Sequence, residues 1–311
     1  MRTRTFLLAV LAVLPFQWGC ELEEWVDSDR YREDFQYTHA LKPGGRLSLD
    51  NFNGSVEILS WEKDAVQISG TKYASTESDL KELRIETVAE EGSVRIRTVR
   101  PSSRPRNMGA KYFIRLPRKV ELERIASSNG SIRVEDLEGS ARLETSNGAI
   151  RMRKLAGRLE ARTSNGSIEG DDLACEGTLR TSNGAVRLTQ VRGALEASTS
   201  NGSIHARFAR LSPQRPLRFD SSNGSIDLGF EALEGNELRV HTSNSSITVR
   251  LPAAAKAQLR AQTSHGTITS DFDVTVRSGA MGKDRLEGDL GGGGALVDLS
   301  SANGSIRILR L

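Results

Sequence analysis

Residues 145–188 read TSNGAIRMRKLAGRLEARTSNGSIEGDDLACEGTLRTSNGAVRL. The tripeptide Ser-Asn-Gly recurs there every 18 residues, centred on Asn147, Asn165 and Asn183. Three residues after each Asn stands a β-branched residue (Ile150, Ile168, Val186), and four before it stand Leu143, Ala161 and Leu179. Charged residues fill the alternate places, as in Ile150-Arg151-Met152-Arg153. Such period-two alternation is the pattern of a half-buried strand, and a fixed period marks one structural unit repeated along the chain.

The same unit extends in both directions. The Asn-Gly pairs are Asn129-Gly130, Asn147-Gly148, Asn165-Gly166, Asn183-Gly184, Asn201-Gly202, Asn223-Gly224 and Asn303-Gly304. Variants stand at Asn53 (Phe-Asn-Gly), Asn244 (Ser-Asn-Ser) and His265 (Ser-His-Gly). From Asn129 the spacings are 18 residues four times, then 22, 21 and 21. Each repeat reads as strand, Asn-Gly turn, strand and second turn. The second turn is expected ten residues after the Asn, at Gly139, Gly157, Cys175 and Gly193. Asn and Gly suit the first turn because both tolerate positive φ.

Two all-β architectures accommodate this pattern. In a β-solenoid, each repeat of about 18–22 residues is one coil, and equivalent Ile, Ser and Asn residues stack. In an antiparallel hairpin meander or sandwich, each Asn-Gly joins neighbouring strands. The fixed period favours the solenoid, in which Asn side chains hydrogen-bond along a ladder. Ten coils at ~4.8 Å would form a rod roughly 50 Å long. A short helix is expected within TESDLKELR, residues 76–84. A second-order repeat relates IRLPRKVELERIASSNGSI (114–132) to VRLPAAAKAQLRAQTSHGTI (249–268).

Residues 1–20, MRTRTFLLAVLAVLPFQWGC, have the charge and apolar length of a signal peptide and end in Gly19-Cys20. A small residue before Cys fits a lipoprotein cleavage site, so Cys20 is the expected lipidation site, anchoring the chain in a membrane. Glu21 rather than Asp after it favours the outer membrane. Residues 21–37 are polar and acidic and read as a tether, leaving 38–311 as the repeat domain. The chain has 43 basic and 40 acidic residues; without Arg2 and Arg4 the balance is 41 to 40, a net charge of +1. That near-neutrality gives no case for nucleic acid as a partner.

Chemistry-bearing residues are few and scattered. Cys175 stands where other repeats carry Gly, and reads as a small residue in a tight corner. His39, His205, His241 and His265 lack metal-ligand spacing, so no metal and no cofactor are expected. Gly291–Gly294 lacks the Lys-Ser/Thr of a phosphate loop and reads as a turn before the last strand pair. Arg100, Arg104 and Arg106 lie in a Pro-broken basic loop that reads as solvated. Asp171-Asp172 is an acidic pair within the regular coils, with no second acidic cluster beside it.

The opening GRLSLDNFNGSVEILSWEKDAVQISG, the segment IRLPRKVELE, the tandem TSNGSI/TSNGAI turns and the closing GGGGALVDLSSANGSIRI together resemble the bacterial putative adhesin family, a β-strand-repeat domain of unknown function. The resemblance covers about residues 40–311 and carries no catalytic residues. It implies a repetitive β fold outside a membrane, often tethered to it. The expected function is that of a non-catalytic cell-envelope lipoprotein with an adhesion-like binding module, its partner a glycan or another envelope protein. A structural or regulatory part in envelope-stress signalling is the alternative. A glycan-active enzyme built on Asp171 and Asp172 is the weaker one.

Overall fold

The computed structural model describes residues 31–101, 107–233 and 235–311. The leader with Cys20, tether residues 21–30, and Arg104 and Arg106 lie outside the described residues. The structure is all-β: the described residues form one connected network of 25 strands and a single short helix, Glu77–Glu82. Thr76 caps the helix, its Oγ1 accepting from the Asp79 backbone N–H at 3.1 Å. Residues 31–37, read from sequence as the end of a tether, instead begin the strand Tyr31–Ala40, which pairs antiparallel with Ala65–Ala74.

The repeats stack in parallel as a β-solenoid-like array. The strand following each Asn-Gly turn pairs with its counterpart in the next coil, in the register Ile132↔Ile150↔Ile168↔Val186↔Ile204↔Ile226↔Ile247. The strand preceding the turn forms a second ladder, Leu143↔Ala161↔Leu179↔Ala197↔Phe219↔Val240. Both columns point into one continuous core, with no member more than 2% exposed. Because equivalent strands pair in parallel between coils, the turn carries the chain from one ladder to the other. It does not join hydrogen-bonded antiparallel neighbours, and the hairpin meander fails for this region. Where the spacing lengthens to 22, Phe208, Phe219 and Phe230 fill the core, with ring centroids 5.9 and 5.1 Å from Phe208.

The turn glycines are there for a reason other than the expected one. None of Gly130, Gly148, Gly166, Gly184, Gly202 or Gly224 has positive φ. Each lies so close to the preceding coil that a Cβ has no room: on Gly166, Gly184 and Gly202 it would sit 1.8 Å from the carbonyl oxygen of the Gly one coil back. The second turn also departs from expectation. The chain bends at Asp136, Lys154, Asp172 and Gln190, with φ of 57°, 52°, 52° and 51°. Gly157 and Gly193 lie three residues later, inside the long strands Ile150–Arg162 and Val186–Thr199. They have positive φ, but in the intervening coil that conformation moves to Gly177, which frees position 175 for a side chain.

Stacking order and sequence order part company at both ends. The coil of Asn303 is inserted between those of Asn244 and His265: Ile306 pairs with Ile247 on one side and Ile268 on the other. At the other end the coil of Asn53 lies between the coil of Asn129 and a layer made by Ser93–Val99 and Gly109–Pro117. The two Leu-Pro segments of the second-order repeat are the links that step over these inserted coils. Leu116-Pro117 leads from the outer layer past the Asn53 coil to the coil of Asn129, and Leu251-Pro252 leads from the Asn244 coil past that of Asn303 to that of His265. Antiparallel strands close both ends: Ala65–Ala74 against Gly109–Pro117, and Arg285–Leu290 against Ala257–Thr263.

Candidate functional site: the polar ridge and the outer faces

The sequence-expected turn residues come together in one ridge along the stack. Asn147 Nδ2 donates to Asn129 Oδ1 at 2.5 Å, and the same bond recurs at 2.7 Å from Asn165, Asn183, Asn201, Asn223 and Asn244 to the Asn one coil back. Asn303 donates to Asn244 at 2.8 Å, matching its inserted position. At the other end Asn129 donates to Asn53, whose own amide donates to the Met108 carbonyl.

Two residues before each Asn runs a buried hydroxyl column that the sequence reading passed over. Thr145, Thr163, Thr181 and Thr199 donate to the carbonyls of Gly130, Gly148, Gly166 and Gly184 at 2.9–3.1 Å. Ser221, Thr242, Ser301 and Thr263 continue the column. The signal was present, since a hydroxyl residue stands at this place in every copy after Asn53. In the Asn53 coil, Asn51 takes that role, donating to Gly54 O and Ala110 O.

Outside the ridge, both ladders present charged rows. On the first, Arg133 pairs with Glu135 at 2.5 Å, Arg151 with Glu169 at 3.1 Å, and Asp227 with both Arg207 and Arg250. Burial pushes the Glu169 pKa up, but hydrogen bonds from Ser167 and Arg151 outweigh it and leave the pKa lowered. On the second, Glu144 is lowered in the same way, with burial opposed by hydrogen bonds from Arg142 and Arg124. A groove of about 470 Å³ crosses the first ladder at Gly170, and one of about 530 Å³ crosses the second between Arg158 and Arg210.

The acidic pair does not form a catalytic couple. Asp171 faces outward and accepts from Thr189 Oγ1 at 2.5 Å, whereas Asp172 sits at the bend and is ion-paired to Arg192. Cys175 is buried, and its Sγ donates to the Leu155 carbonyl at 3.3 Å. Burial pushes its thiol pKa up to about 12, which keeps it protonated and unreactive. His39, His205 and His241 bond separately to Thr87, Ser203 and Ser300. Among the described residues, no group of three or more His, Cys, Asp or Glu is placed to hold a metal, and no helix is long and apolar enough to cross a membrane.

A parallel stack of short coils, with its recurring polar turns aligned and its charged rows outside, defines a repeat protein of the β-solenoid-like class. The chain belongs to the DUF4097 Toastrack family, whose model matches residues 45–248. No curated protein matches it. Among solved structures, it is similar to a putative adhesin from Bacteroides fragilis, with 13% identity, a TM-score of 0.46, and coverage of 89% of this chain and 97% of that one. A putative lipid binding protein from Parabacteroides distasonis gives 15%, 0.39, 90% and 97%. A putative cell adhesion protein from Clostridium sporogenes gives 11%, 0.25, 90% and 100%.

Proposed function

We propose that this chain is an exported, non-catalytic binding module of the cell envelope, lipid-anchored through Cys20 and offering the outer faces of its coil stack to a glycan or an envelope protein. The observation that carries the reading is the repetition of the surface. Parallel register places equivalent outward side chains one strand spacing apart over the whole stack, and an extended repetitive surface suits an extended partner. Groups with catalytic potential are instead spent on structure: Cys175 on the core, Asp172 on Arg192, and the hydroxyl column of Thr145, Thr163, Thr181 and Thr199 on turn carbonyls. The signal-like leader ending in Gly19-Cys20 supports the anchor.

The test has two parts. In fractionated cells Cys20→Ala should move the protein from the membrane to the soluble fraction; retention in the membrane would remove Cys20 as the anchor. The full chain, applied to an array of envelope glycans and used as bait in a cross-linked envelope preparation, should capture a discrete partner. Turnover of a polysaccharide that is lost in Asp171→Asn would overturn the non-catalytic reading.

A further inference from the structure

The second ladder's outer face carries arginines that its carboxylates do not answer. We infer that the groove bounded by Arg158, Arg192 and Arg210 binds the oxyanion groups of an acidic polysaccharide, which deepens the binding-module reading and rests on it. Arg192 and Arg210 are register partners on adjacent coils, at a strand spacing of ~4.8 Å. Like charges placed directly opposite destabilise a sheet. Arg192 is answered by Asp172, but among the described residues Arg210 and Arg158 have no ion-pair partner. Arg133–Glu135, Arg142–Glu144 and Arg218–Asp220, by contrast, are each closed locally.

The groove is open because its floor is small: Gly157, Ala174 and Gly193 lie between the arginines. Glu176, which stands opposite Arg158 in register on the next coil, is instead engaged by Ser212 Oγ at 2.9 Å and Arg215 at 3.5 Å. The end wall at Ser212 is fixed from behind. The buried Asn236 amide donates to the carbonyls of Ser212 and Arg215 at 2.7 and 2.9 Å. The site is therefore shaped before any ligand arrives.

A second pair argues for a polymer. Arg162 and Arg180 are also register partners without an ion-pair partner among the described residues. They lie six residues along the same side of the sheet from the level of Arg192 and Arg210, or ~20 Å at ~3.3 Å per residue. Two under-neutralised arginine pairs at that distance match a chain bearing repeated carboxylate or sulfate groups better than a single ion. No aromatic residue lines the groove, so the stacking platform that single-stranded nucleic acid uses is missing.

The probes are heparin, polygalacturonate, inorganic sulfate, neutral dextran and single-stranded DNA, titrated against the full chain. Heparin or polygalacturonate should bind with an affinity that falls as salt rises, while dextran should not bind. Arg158→Gln with Arg210→Gln should weaken that binding at least tenfold. Arg133→Gln with Arg187→Gln removes the same two charges from the other ladder and should change it less than twofold, with unfolding midpoints compared for both. Inorganic sulfate that competes only at far higher concentration than polymer sulfate places the affinity in the polymer; equal competition overturns the polymer assignment. Equal losses in the two double variants, tighter binding of DNA than of either acidic polysaccharide, or no binding of either polysaccharide would also overturn the inference. A chain that binds a neutral glycan equally well in all variants would keep the binding-module reading and remove this groove.

Discussion

At the residue scale, the Thr-Ser-Asn-Gly turn divides its work among separate columns. Thr supplies a buried hydroxyl, Asn an exposed amide ladder, and Gly an absence of side chain. Gly166→Ala should therefore cost more than Gly92→Ala. A Cβ on Gly166 meets the Gly148 carbonyl at 1.8 Å, whereas Gly92 has φ +73° with nothing within 4 Å. Overpacking of this kind costs ~1–3 kcal/mol, against roughly 1 kcal/mol for the strain of a left-handed residue; denaturant unfolding of the two variants reads the difference. Asn165→Asp keeps the acceptor for Asn183 but sets a carboxylate oxygen against Asn147 Oδ1, where a donor lay at 2.7 Å. The expected loss is ~1–3 kcal/mol at neutral pH. Protonation restores a donor, so the folded pKa is raised, and the lost stability should return as pH falls through the carboxyl range in thermal melts.

Cys175 gives a prediction of the same kind. Burial holds its folded thiol pKa at about 12, above the ordinary thiol value of 9.0. The stabilising preference for the neutral thiol is complete below pH 9 and is lost as pH rises from 9 towards 12. Folded protein at pH 8 should resist iodoacetamide until denaturant is added; rapid labelling without denaturant would contradict the buried placement. The neighbouring coils carry Gly157 and Gly193 at this place, so they record no direction for this side chain.

At the scale of the element, the long bent strands depend on one awkward residue each. Lys154 holds φ +52° between two extended stretches of Ile150–Arg162. A non-glycine residue there costs roughly 1 kcal/mol, while glycine in ordinary strand costs ~0.5–1 kcal/mol. Lys154→Gly should thus be more stable than Arg153→Gly by ~1–2 kcal/mol, measured by chemical denaturation. The alternation in sequence made the strands legible, but the bend was misplaced at Gly157. Glycine marked a close approach there, since its Cβ would lie 2.2 Å from the Gly139 carbonyl, and the side chain that takes the left-handed turn is a lysine.

Across the whole molecule, the inserted coils govern stability. Residues 295–310 fill an interior layer, entered through Gly291, Gly292 and Gly293 with φ of 60°, 91° and 87°. Their strands bond to Leu238–Thr242 and Ile247–Leu251 on one side and to Ala257–Thr263 and Ile268–Ser270 on the other. Deleting residues 291–311 should do more than remove a terminal coil: it should detach the His265 coil, so that residues 257–290 lose protection in hydrogen exchange while the coils of Asn147 to Asn201 keep theirs. Residues 257–290 still protected in the truncated chain would contradict this order.

The sequence by itself determined the all-β class, the repeat length, the inward Ile column and the alignment of the Asn turns, because each follows from a local period that one coil can satisfy. The short helix was legible for the same reason, with Thr76 before an acidic first turn. Only the tertiary structure decided which coil neighbours which, why the turn glycines are glycine, and where the arginines lack partners. Those depend on contacts between layers 18 to 76 residues apart in the chain, as with Asn147 bonded to Asn129 and Asn129 bonded to Asn53, and a local pattern does not record which strand lies one spacing away.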